Sequence, residues 1–173
     1  MAAIYCVPLD GFPEGIIRSV APEISDVFRR PVKFLPGQQM QPGVYDPSRG
    51  QFNSTTILQM LLTFLPSEND QILGFTSADL FIPIFTFVFG EAQLNGPAAV
   101  VSGARLQNEF YGLPTNAAVY QERLLKECIH ELGHTVGLRH CLTNGCVMRK
   151  STYVENIDLK SAEFCPACQA YTD

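Results

Sequence analysis

No stretch of this chain concentrates basic side chains, no apolar run reaches the roughly 18 residues that a membrane span needs, and histidine occurs only three times in 173 residues. Twelve Lys and Arg against seventeen Asp and Glu leave a formal charge of -5, the wrong sign for a nucleic-acid footprint. Met1 to Pro8 lack the basic start and long apolar core of a signal peptide. A cytoplasmic protein without membrane or nucleic-acid partners is therefore expected. Internal repeats and low-complexity segments are missing as well. Disorder and collagen-like repeats are excluded by an apolar content of 46%, with 17% charged residues and a mean hydropathy of +0.08. The length suits one domain with a core of its own.

Six cysteines in a secreted chain would suggest three disulfides, but in an intracellular chain of this size they point to metal. Cys6 and Cys128 stand alone. Cys141, Cys146, Cys165 and Cys168 crowd into the C-terminal tail, the last two as C-x-x-C.

Along the chain, Ala3 to Val7 reads as a short strand. Breakers at Asp10, Gly11 and Pro13 follow, then helical spacing at Ile16, Ile17, Val20, Ile24, Val27 and Phe28. Pro22 inside that pattern raises the expectation of a kink or a late start. Pro31 to Leu35 reads as a second strand, and Pro36 to Gly50 as a long loop. Ser54 to Leu65 carries the spacing of a second helix, Ile72 to Thr76 and Ala98 to Ser102 read as buried strands, and Ala117 to Val136 is the longest helical pattern. Ala78 to Phe89 is apolar and aromatic, but Pro83 argues against a central strand there. Alternating strands and helices predict an α/β fold with a mixed, mostly parallel sheet. The tail after Gly137 is polar and cysteine-rich, which suggests a small subdomain, 138–173, held by metal beside a larger one, 1–137.

All three histidines fall in one motif, H-E-x-x-H-x-x-G-x-x-H: His130, Glu131, His134, Gly137 and His140. Residues four apart share a helical face, so His130 and His134 can offer imidazole nitrogens to one ion. A third ligand six residues on would lie about 9 Å further along a straight helix, out of reach. Gly137 tolerates the left-handed conformation that ends helices and lets His140 swing back. Three protein ligands leave the open position of a catalytic zinc site, and Glu131 is placed to act as general base for a water there. The short H-E-x-x-H recurs by chance on amphipathic helices; the extension to Gly137 and His140 is what makes it specific. Four thiolates from Cys141, Cys146, Cys165 and Cys168 would close a tetrahedral, structural zinc shell, which gives two zinc ions per chain. Reduced cysteines without a common ligand and two disulfides are the alternatives for this second set.

With both clusters in view, the sequence resembles the archaemetzincins, a branch of the metzincin clan of zinc metallopeptidases. The resemblance rests on the run from His130 to Cys141 with Cys146, Met148, Cys165 and Cys168, and on the upstream block Phe87 to Ala92 with Val100, Val101, Ser102, Arg105 and Leu106. It implies a five-stranded sheet of four parallel strands and one antiparallel edge strand, a backing helix, an active-site helix and a small C-terminal subdomain. It also implies that Met148 belongs to a tight turn beneath the histidines, and that an extended peptide pairs with an edge strand that includes Phe87 to Glu91. The side chains of Phe85, Phe87 and Phe89 are expected to fill the core. Tyr153 is a candidate neighbour of the metal, but it lies at no position the motif specifies and is left outside the site. No segment upstream of the first strand offers a cysteine that could cap the metal, so zymogen control within this chain is not expected.

The expected function is hydrolysis of peptide bonds, in short peptides rather than folded proteins, with Glu131 as catalytic base and His130, His134 and His140 as metal ligands. The alternative is a non-enzymatic zinc-binding module that recognises peptides, against which the retained Glu131 argues. A nucleic-acid-binding zinc domain would rest on the cysteine spacing alone and is opposed by the acidic charge.

Overall fold

The computed structural model describes residues 2–172. Its centre is a five-stranded sheet built from β1 (Ile4–Pro8), β2 (Val32–Phe34), β5 (Gln71–Thr76), β7 (Gly90–Ala92) and β8 (Ala98–Ser102). The strand order is β2-β1-β5-β8-β7; the first four run parallel and β7 pairs antiparallel with β8, with Glu91 opposite Val100. Parallel neighbours require crossovers, and helices α1 (Glu14–Phe28), between β1 and β2, and α2 (Ser54–Leu62), before β5, supply them.

Side chains on a strand alternate between faces, and here both faces are covered. Ile4 and Cys6 of β1, Leu73 and Phe75 of β5, and Ala99 and Val101 of β8 pack with α1 and with α3 (Ala117–Thr135). Val7, Ile72, Ala98 and Val100 turn the other way onto Ile57, Leu58 and Leu61 of α2. The continuous burial of β5 and β8 follows from this three-layer arrangement. Pro22 leaves α1 unbroken from Glu14 to Phe28, so neither a late start nor an interruption occurs.

The long loop from Pro36 to Gly50 contains structure that composition hides. A single 3-10 turn, Pro42–Val44, leads into β3 (Tyr45–Asp46), which pairs antiparallel with β4 (Gln51–Asn53); β4 pairs in turn with β6 (Leu80–Phe81) to make a second, three-stranded sheet. That small sheet corrects the expected edge strand. Val88 N–H donates to Leu80 O at 3.0 Å, which ties Val88 to the small sheet; contact with β8 begins at Phe89, whose carbonyl accepts from Ser102 N–H at 2.8 Å, and regular pairing begins at Gly90. The expected core role of the alternating phenylalanines holds for Phe89, which is buried, and in part for Phe87, which packs against the core, and is corrected for Phe85, which is 44% exposed.

The tail carries two short helices, α4 (Val154–Asp158) and α5 (Pro166–Thr172). It is less core-poor than its composition suggests. Val147, Met148, Cys146 and Cys168 pack against Ile129 of α3 and Leu138 in a cluster of their own. Among the described residues, no helix is long and apolar enough to cross a membrane.

Candidate active site

Helix α3 is capped at its start by Asn116, whose side-chain oxygen accepts from Val119 N–H at 3.1 Å. It ends where the sequence requires. Gly137 takes φ +97°, Gly137 N–H donates to His134 O at 2.9 Å and Leu138 N–H to Gly133 O at 3.0 Å, so the chain reverses over the last turn. His140 is thereby returned to the face that carries His130 and His134.

The three imidazoles converge. One ring nitrogen from each lies within 4.8 Å of the others, and His130 Nε2 and His134 Nε2 are 3.2 Å apart. Nitrogens bound tetrahedrally to one zinc ion at about 2.0–2.1 Å would be separated by about 3.3 Å. The remaining ring nitrogens are occupied. His130 Nδ1 is 2.8 Å from Val147 O and His134 Nδ1 is 2.7 Å from Leu138 O, which fixes the tautomer that donates through Nδ1 and leaves Nε2 free to ligate. Burial holds the imidazoles of His130, His134 and His140 below the usual histidine range, in the neutral form that a metal needs.

Met148, next to the Val147 carbonyl that meets His130 Nδ1, is fully buried. Its sulfur packs into the notch left by Gly133, the residue before His134, so the bare helix surface there rests on the thioether. Cys141 N–H donates to Met148 O at 3.0 Å and ties the turn to the residue after His140.

Glu131 is buried beside the histidines, and burial, reinforced by Glu127, raises its carboxyl above the usual carboxylate range while the Lys160 ammonium opposes the shift. The edge strand presses against it. A Cβ at Gly90 would stand 2.8 Å from Glu131 Cγ and 2.7 Å from Val100 O, so only glycine permits this approach.

A cleft of about 290 Å³ opens over these groups, between β7 and the segment Lys150 to Thr152. Phe85, Phe87 and Phe89 form one wall. Phe87 is held by Arg105, whose guanidinium lies 4.0 Å above its ring and is fixed by two 2.7 Å bonds to Asp79. Tyr153 is 65% exposed and does not line the cleft.

The four tail cysteines form a second convergent set. Their sulfurs lie within 4.8 Å of one another, with Cys141 to Cys165 and Cys146 to Cys168 both at 3.8 Å. Sulfurs bound tetrahedrally to zinc at about 2.3 Å would stand about 3.8 Å apart, whereas a disulfide requires about 2.05 Å. All six cysteines are free thiols.

Sequence reasoning missed Glu127 and Lys160. Lys160 Nζ sits 3.0 Å from Glu127 Oε1, with both side chains almost wholly buried, and it also donates to Arg149 O at 3.3 Å next to Met148. Glu127 falls one helical turn before Glu131, a spacing that could have placed it in the site; nothing in the sequence points to its partner on the tail.

Comparison with known proteins agrees with this geometry. The model of peptidase family M54 matches residues 13–172. This chain belongs to the archaemetzincin family of peptidases. It is 42% identical to the archaemetzincin of Methanocaldococcus jannaschii over 161 residues, 93% of this chain and 87% of the relative. Among solved structures, a zinc-dependent peptidase of Methanocorpusculum labreanum superposes with a TM-score of 0.90 at 31% identity, covering 99% of this chain and 100% of that one. The archaemetzincin of Archaeoglobus fulgidus gives 0.85 at 37% identity, covering 98% and 99%. The chain is accordingly a zinc metallopeptidase with the fold of that family. The non-enzymatic reading is not favoured.

Proposed function

We propose that His130, His134 and His140 hold the catalytic zinc, that Glu131 is the general base, and that Cys141, Cys146, Cys165 and Cys168 hold a second, structural zinc. The observation that carries this reading is the convergence of the three imidazole nitrogens with Nδ1 of His130 and His134 committed to carbonyls, beside a carboxylate on the same helix. Zinc in such a site supplies a Lewis acid that polarises the scissile carbonyl and acidifies a water. The protein's own groups do the rest. The peptide lies extended along β7, its backbone bonded to the exposed side of that strand, which presents the scissile bond next to Glu131. Glu131 takes a proton from the attacking water and passes it to the leaving amine. The wall formed by Phe85, Phe87 and Phe89 keeps bulk water from the reacting groups.

The four-cysteine set fastens the tail, and under this reading residues 1–137 and 138–173 act as two subdomains of one catalytic domain that meet at the cleft. Cysteines that converge as a metal set rather than as disulfides support a reducing, cytoplasmic setting, and the charge of -5 supports peptides rather than nucleic acid as partners. The small cleft suits short peptides.

The test is digestion of a diverse peptide mixture by the zinc-loaded protein with the Glu131→Gln variant in parallel, together with metal analysis of both. Cleavage by the first alone, at equal content of two zinc ions per chain, is expected. Cleavage retained by the variant would remove Glu131 from its role, and one zinc per chain would remove the structural ion.

A further inference from the structure

The lip of the cleft, Ile82 to Thr86, projects from the small sheet. Ile84 is 80% exposed, while Ile82 and Phe85 line the cleft. Between Pro83 and Thr86, the backbone makes one backbone hydrogen bond among the described residues, Phe85 N–H to Ile82 O at 3.0 Å, which closes a turn within the lip itself. Such a segment has little of its own to hold it in one place.

Two side chains of the small sheet hold it instead. Arg49, in the turn between β3 and β4, donates from Nη1 to Phe85 O at 3.2 Å and from Nη2 to Pro83 O at 3.4 Å, with its guanidinium 4.4 Å from the centre of the Phe81 ring. Gln51 Nε2 donates to Thr86 O at 2.9 Å and also to Asp79, the carboxylate that fixes Arg105 over Phe87. The turn is preset for the task. The Asp46 carboxylate accepts from Ser48 N–H at 2.9 Å and from its hydroxyl at 2.6 Å, and Gly50 N–H donates to Asp46 O at 2.9 Å, so the backbone that carries Arg49 is fixed before the lip is reached. From the other side of the cleft, Lys150 Nζ stands 5.2 Å from the Phe85 ring centre, a contact that leaves the lip backbone free.

Resting on the peptidase reading above, we propose that Arg49 is a positioning residue for substrate binding: by gripping two lip carbonyls it holds Ile82 and Phe85 against a large apolar side chain of the bound peptide. A planar fork suits this, since its two N–H groups reach two carbonyls at once where an ammonium acts as a point. The segment from Pro36 to Gly50 thereby serves the cleft without lining it. Without the guanidinium the lip must be ordered anew at each binding event, and that cost falls on affinity, not on the chemical step at Glu131. It falls most on peptides that use the apolar wall. Arg49 itself is exposed, so its removal leaves the core intact.

The experiment compares Arg49→Ala and Arg49→Lys with the unaltered protein, all zinc-loaded. Hydrogen exchange mapped by mass spectrometry should quicken at residues 82–87 in Arg49→Ala, with the denaturation midpoint unchanged. Affinity is measured separately in the Glu131→Gln background, with a fluorescent host peptide carrying Phe or Gly in turn at each position. At one position Phe should bind tighter than Gly, and Arg49→Ala should reduce that ratio by about tenfold while the other positions keep theirs. Arg49→Lys should fall between the two. In the active enzyme Arg49→Ala should raise KM for the Phe peptide by about the same factor, with kcat changed by less than about twofold. Lip exchange unmoved by Arg49→Ala would overturn the grip, and an unmoved Phe to Gly ratio would overturn its role in binding. A loss of affinity equal for all peptides, or a lowered midpoint, would reduce Arg49 to a structural residue and overturn the proposal as well. Cleavage with affinity unmoved by Arg49→Ala rejects the positioning role alone, and affinity that depends on Arg49 without cleavage by the wild type rejects the role given to Glu131 alone.

Discussion

Met148 occupies the space that a side chain at residue 133 would need: its sulfur is packed against the bare helix surface of Gly133, the residue before His134. Glycine inside a helix ordinarily costs about 1 kcal/mol relative to alanine, so Gly133→Ala would stabilise an ordinary helix. Here the sign reverses. The added methyl must push the thioether out of a fully buried position, at a cost of about 1–3 kcal/mol. Gly133→Ala is expected to lower the denaturation midpoint and to weaken zinc binding at the histidine set, read by competition with a chelator. A midpoint at or above that of the wild type would show that Met148 is not a fixed support.

Gly90 should fail differently. A methyl group there collides with Glu131 Cγ, 2.8 Å away, and with the carbonyl of Val100, which cannot yield without breaking the β7 to β8 pairing. The histidines are not touched. Gly90→Ala is expected to leave zinc content unchanged and to reduce kcat by about a hundredfold through displacement of Glu131, an effect of the size that misplacement by about 1 Å produces. Steady-state kinetics with metal analysis checks it, and loss of zinc in parallel with kcat would place the damage elsewhere.

These two glycines mark where sequence reading stopped. The spacing of His130, His134, Gly137 and His140 could be read because helical geometry is local: a period of 3.6 residues and one chain reversal decide it. The buried strands β5 and β8 and the helix α3 could be read for the same reason. Gly133 and Gly90 are small because of Met148 and Glu131, neighbours in space that no periodicity reveals. The edge strand was placed too early because only the three-dimensional position of Leu80 shows that Val88 bonds to the small sheet, leaving contact with β8 to begin at Phe89. Strands of two or three residues, such as β3, β4 and β6, are too short to leave an alternating pattern. The Glu127 to Lys160 pair joins α3 to the tail, and each of its residues alone reads as solvent-facing charge.

Removal of metal should expose a graded set of thiols. The backbone N–H of Cys168 draws the Cys165 thiol down to about 6, while burial pushes Cys6 up to about 12. At pH 7 the metal-free protein should therefore be alkylated by iodoacetamide first at Cys165 and last at Cys6 and Cys128, as mapped by mass spectrometry. Zinc added beforehand should protect Cys165. Equal labelling of Cys165 with and without zinc would argue that the tail set holds no ion.

Cys6 also sets a limit on stability at high pH. Its thiol is packed between β1 and the helices of the main core, and its folded pKa is raised from 9.0 to about 12 because the thiolate cannot be solvated there. In the unfolded chain the thiol ionises near its ordinary value, so the unfolded state loses its proton first as pH rises. The stabilisation is complete below about 9 and is lost progressively between about 9 and 12. Denaturant midpoints measured from pH 7 to 11 should fall over the upper part of that range. Cys6→Ala has no thiol to ionise; it should start lower because of the cavity it leaves, yet fall less steeply. The slope, not the offset, carries the test: parallel curves for the two proteins would show that Cys6 is not the group that titrates.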